Sequence, residues 1–82
     1  MSAVTHIIVQ PYARGPKGGL KPEPAILAKT AEAAIVRAER MFAANGKIVG
    51  VDVVRTEVDE EAGDYSEPVY LQRLGMVPEL AN

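Results

Sequence analysis

The sequence contains no cysteine and no tryptophan, a single histidine, one phenylalanine and three tyrosines. Without cysteine there is neither a disulfide nor a thiolate metal site, and one histidine cannot complete a histidine-rich cage. No metal and no cofactor are therefore expected. Four aromatic rings are too few for a platform that stacks single-stranded nucleic acid. Apolar runs are only a few residues long, far short of the roughly 20 that span a membrane. The first residues also lack the charged region, apolar stretch and small-residue cleavage site of a signal peptide. The expectation is a cytoplasmic protein with no membrane contact.

What is present is enough for one domain, residues 1–82. The hydrophobic fraction is 48%, but twelve of those 39 residues are alanine, which leaves 27 larger apolar side chains and a thin core. With disulfides and metals excluded, oligomerisation is the remaining reinforcement for so small a core. The net charge of −2 conceals an uneven distribution. Residues 1–22 hold Arg14, Lys17 and Lys21 without an acid, and residues 57–67 hold Glu57, Asp59, Glu60, Glu61, Asp64 and Glu67 without a base.

Residues 4–9 (VTHIIV) are rich in β-branched side chains and read as a buried strand that ends at Gln10-Pro11. The glycine- and proline-rich ARGPKGG that follows is loop chemistry, and Pro22 and Pro24 restrict any strand over 20–23 to a sheet edge. Residues 25–29 admit two readings. Either they form a short edge strand with Thr30 capping a helix over 31–45, or Pro24 opens the helix and Leu27 continues its stripe. The first is preferred, because Glu32 follows Thr30 at the positive end of the helix.

Helix 31–45 carries Ala31, Ala34, Ile35, Ala38, Met41, Phe42 and Asn45 at intervals of three and four, with Asn45-Gly46 as its stop. Residues 47–54 (KIVGVDVV) read as a strand with Val49, Val51 and Val53 toward the helix and Ile48, Gly50, Asp52 and Val54 away from it. VDEEAGDYSEP reads as an acidic loop. Residues 68–74 form the last strand, with Val69, Leu71 and Arg73 on one side and Tyr70, Gln72 and Leu74 on the other. The fold class is α+β, a two-layer ββαββ or βαββ arrangement. Its sheet is mostly antiparallel with three to four strands, and one helix packs on one face.

The segments IIVQPYARGPKGGL and VRTEVDEEAGDYSEPVYLQRLGMVPE resemble small uncharacterised bacterial proteins of an alphaproteobacterial kind, a family with no assigned function. The shared features are a strand ending in VQP, a basic glycine loop, a helix and a final hairpin with an acidic loop. The resemblance implies the same fold and a cytoplasmic setting, and implies no activity.

Period-two reading leaves His6, Ile8, Gln10, Asp52, Val54, Tyr70 and Gln72 on the sheet face away from the helix. His6, Asp52 and Tyr70 are the chemically interesting subset, since an imidazole beside a carboxylate can shuttle protons. The plainer reading is a half-polar face or a dimer surface, and no serine or cysteine has a base partner. Arg14, Lys17 and Lys21 form a candidate anion site without a Walker or GxGxxG fingerprint, so any nucleic-acid contact there is weak and salt-sensitive. The acidic loop lacks EF-hand spacing. Its role is expected to be electrostatic, facing the basic loop within a protomer or across an interface. Val36, with Ala33, Ala43 and Ala44, falls on the outer side of the helix as a possible second contact surface.

The expectation is a non-enzymatic protein acting through protein contacts, as a homodimer formed by the open sheet face or an edge strand. The alternative is a nucleic-acid or phosphate-ligand module built on residues 14–21.

Overall fold

The computed structural model describes residues 3–44 and 46–79. It is an α+β fold in which one helix packs on a curled antiparallel sheet of six strands. Two 12-residue strands, β1 (Ala3–Arg14) and β4 (Ile48–Asp59), pair along almost their whole length, from Ala3 opposite Asp59 to Ala13 opposite Ile48. The short strands β2 (Leu20–Pro22) and β3 (Ile26–Ala28) follow one another along the outer side of β1. β5 (Asp64–Tyr65) and β6 (Val69–Gly75) do the same along β4. The order βββαβββ thus replaces the expected ββαββ or βαββ, and six strands replace three to four. The additions are β2 and β5, each the short return of a hairpin.

Prolines decide where the β1 edge is interrupted. β1 continues through Pro11, whose carbonyl accepts from Glu23 N at 2.9 Å and so points, with the position of its missing N–H, toward the outer edge. That edge breaks at this point, with Glu23, Pro24 and Ala25 separating β2 from β3. The Gln10 side chain closes the gap, its Nε2 donating to the Pro11 and Glu23 carbonyls at 2.9 and 2.7 Å.

Thr30 adopts an extended backbone and its hydroxyl accepts from Ala33 N at 3.0 Å, which fixes the start of α1 (Ala31–Ala43) and confirms residues 26–28 as a strand. The Ala44 N–H bonds to the Arg40 carbonyl at the far end, and Asn45 of the expected stop lies outside the described residues. Ala34 and Ala38 are fully buried against Val9, Val51 and Val53, as small residues must be for a helix to approach a sheet closely. Ile7, Ile26, Ala28, Ile35, Met41, Ile48, Leu71 and Leu74 complete this core.

Two irregularities upset strict alternation. Tyr12 pairs with Gly50 but Ala13 pairs with Ile48, so Val49 is an extra residue and Ile48 turns into the core, away from its expected outward place. Val53 pairs with Gln72 but Val54 pairs with Tyr70, which makes Leu71 the extra residue in β6.

After β6 the chain folds back over the sheet face opposite the helix. Gly75 turns with φ +67, a conformation that favours glycine, and Met76 N donates to the Val49 carbonyl at 2.9 Å. The Met76 backbone then lies directly on Gly50, so that a Cβ on Gly50 would overlap the Met76 carbonyl. Gly50→Ala is therefore expected to destabilise the fold by about 1–3 kcal/mol, the usual cost of overpacking. Urea denaturation checks this, and a change below about 0.5 kcal/mol, the range of neutral surface substitutions, would contradict the placement of residues 76–78.

Candidate functional site

The register arranges the face opposite the helix in cross-strand rows. From one end they are Tyr12–Gly50, Gln10–Asp52–Arg73, Ile8–Val54–Tyr70, His6–Thr56 and Val4–Val58–Tyr65. The first two rows are polar and lie at the end that residues 76–78 cross. The others extend past the end of the helix core.

The polar end is organised by a buried carboxylate. Asp52 is only 2% exposed, and Arg73 grips it with two bonds, Nε to Oδ1 at 2.6 Å and Nη2 to Oδ2 at 3.0 Å. The same Nη2 donates to the Pro78 carbonyl at 2.6 Å, so the guanidinium ties the folded-back segment to the sheet. Tyr70 stacks on the guanidinium, with the ring centroid 4.7 Å from Cζ. Arg14 Nη2 contacts Met76 Sδ at 3.4 Å. Burial raises the Tyr12 phenol above its ordinary value, and the negative charge of Asp52 and the neighbouring Tyr70 add to this while Arg73 opposes it. The hydrogen bond to Asp52 raises the Arg73 guanidinium further. Both groups thus keep their protons at neutral pH, and both oxygens of Asp52 are engaged by Arg73.

The residues singled out from sequence are divided by this geometry. Asp52 and Tyr70 come together, joined through Arg73. His6 does not join them: it pairs with Thr56, four residues along β1 from the partner of Asp52, or about 13 Å. Ile8, Val54 and Tyr70 form one row as expected. Gln72 is a correction, because the extra residue at Leu71 turns it to the helix side, where Nε2 bonds Glu39 at 3.3 Å. Gln10 occupies the open face, but its amide is committed to the edge carbonyls. The same irregularity carries Arg73 onto the open face, opposite to the alternation reading, so Arg73 and Tyr12 are the site residues that reading missed. A signal for Arg73 was present: an aspartate inside VGVDVV requires a counter-charge, and Arg73 is the cation of the adjoining strand.

Arg14, Lys17 and Lys21 surround the β1–β2 turn without forming one cradle. Arg14 shares the face of Tyr12, whereas Lys21 pairs with Ala13 and shares the opposite one. The acidic hairpin closes tightly at the other end of the strands, with Ala62 N donating to Asp59 Oδ1 at 3.2 Å and Gly63 N to the Asp59 carbonyl at 2.8 Å. Eleven residue steps of β1, about 36 Å, separate this hairpin from the basic turn, so contact between the two within a protomer is ruled out. Among the described residues no three histidine, aspartate or glutamate side chains are grouped to hold a metal ion, and no helix is long and apolar enough to cross a membrane.

Comparison with known proteins returns no match: no family model, no curated protein and no solved structure corresponds to this chain.

The ion pair leads to a direct prediction. Arg73→Ala leaves Asp52 buried without a partner and is expected to cost about 3 kcal/mol, the lower part of the usual range because the Arg73 side chain is 25% exposed. Asp52→Leu with Arg73→Met should recover most of that loss. Urea denaturation at fixed protein concentration measures both, and a single-variant loss below about 1 kcal/mol would contradict the anchoring role.

Proposed function

We propose that this is a non-enzymatic cytoplasmic protein that acts through protein contacts and associates with itself as a homodimer. The observation that carries the reading is the half of the β1–β4 ladder that neither the helix nor residues 76–78 cover. Tyr65 is 74% exposed and Val4 45% exposed, and Tyr70 is also exposed. Together with the half-buried Ile8 and Val54 they make an apolar and aromatic strip with water on it. Tyrosines on a rigid sheet supply contact area at low entropic cost, which is the usual composition of a contact surface.

The state of the reactive groups supports a non-catalytic role. Asp52 is neutralised by Arg73, and His6 stands apart from both. Strand edges add to the case for self-association. Residues 3–6 of β1 lie beyond β3, and β6 borders the other side of the sheet, so both are available for pairing.

Light scattering on a size-exclusion column tests this reading. The expected result is twice the protomer mass at high micromolar concentration, falling toward one protomer on dilution, with Tyr65→Ser and Tyr70→Ser shifting the balance to monomer. A single-protomer mass at every concentration would refute self-association.

A further inference from the structure

An open groove of about 1020 Å³ runs between β3 and the outer side of α1. Its floor is apolar on the helix side, where Val36 is 45% exposed and Ala33 and Met41 stand beside it, while Leu27, 68% exposed and paired with Ile8, borders it from the strand. Lys29, Arg37 and Arg40 line it against a single acid, Glu32. Among the described residues no ion pair neutralises these three cations. An apolar channel with uncompensated positive charge calls for an occupant that is apolar and acidic.

The chain itself carries a segment of that chemistry. Residues 3–6 of β1, 55–59 of β4 and β5 extend beyond the helix core as an arm, with Val4, Val58 and Tyr65 in one row. Glu57, Asp59 and Asp64 alternate with that row on the other face of the arm, and Glu60 and Glu67 lie at the two ends of the strands' connections. Arm and groove also share one edge of the sheet. β3 pairs with Ile7 to Val9, immediately beyond residues 3–6, and the groove begins at its Leu27 and Ala28. Each copy carries both surfaces, so a two-fold arrangement that seats one arm in the partner's groove seats the other arm in the same way. Both contacts form at once, the assembly closes at two copies, and acid meets base in each.

We infer that the groove between β3 and α1 is the receptor for the acidic arm of a second copy of this chain. The inference rests on the self-association proposed above and names the two surfaces that meet. It gives Val36 a role as part of the groove floor, and it gives the acidic hairpin a role across an interface.

Charge reversal on each surface tests it. Lys29→Glu with Arg37→Glu reverses the groove while sparing Arg40, whose charge favours the last turn of the helix. Glu60→Lys with Glu67→Lys reverses the arm at exposed positions. Circular dichroism melts establish that both variants fold, and light scattering reads association. Each variant alone is expected to dissociate at least about tenfold more readily than the parent. An equimolar mixture of the two is expected to regain the dimer, because reversed arm then meets reversed groove and parent arm meets parent groove. If both variants dimerise like the parent, or if the mixture stays monomeric, the arm–groove contact is wrong while self-association stands. If the parent is itself monomeric at every concentration, self-association fails and this contact fails with it.

Discussion

The ladder between β1 and β4 is twice as long as the helix that packs on it, and the rest of the structure follows from that mismatch. Twelve extended residues span about 40 Å, consistent with a longest dimension of 42 Å, whereas the 13-residue helix spans about 20 Å. One helix with alanines at its contact buries only Val9, Val51, Val53 and their neighbours. Among the described residues, the ladder beyond Ile7 and Val53 has no second layer. Its residues exchange backbone hydrogen bonds across the strands but, apart from the buried Val58, leave their side chains partly or wholly to water or to another molecule.

At the covered end the same economy appears on the opposite face. Among the described residues no second helix lies there, and a folded-back segment of a few residues takes its place. It is held by a turn at Gly75, by contact with Gly50 and by one arginine that bonds both Asp52 and the Pro78 carbonyl. A buried ion pair is a costly way to fill space compared with apolar side chains. What it adds is direction: the guanidinium fork accepts one arrangement of the carboxylate and the crossing carbonyl, so the segment has one place to sit. The polar cluster on the open face is thus a structural anchor, and the surface left for other molecules is displaced toward the arm.

The helix, its threonine cap, the alanine contact and the strand at 26–28 were legible in the sequence because each depends on local chemistry or on regular spacing. Strand length was less legible. β4 was expected to stop at Val54, yet Arg55 to Asp59 remain paired because β1 on one side and β5 on the other supply partners that no local pattern reveals. The faces of β6 were misread for a related reason. One extra residue at Leu71 reverses everything that follows it, which put Gln72 in the candidate site and left Arg73 out of it. The opposite charges of the two loops were plain from sequence, but the 12-residue strand that holds them at opposite ends was not. At about 36 Å they lie several Debye lengths apart and have almost no influence on each other within one chain.

Self-association, as proposed above, takes place on the bare half of the ladder. An amide NMR dilution series from millimolar to low micromolar concentration tests it most directly. Concentration-dependent shifts are expected at Val4, Tyr65 and their neighbours on the arm, with Gly50, Asp52 and Arg73 unchanged. Shifts confined to the polar end, or none at any concentration, would contradict it.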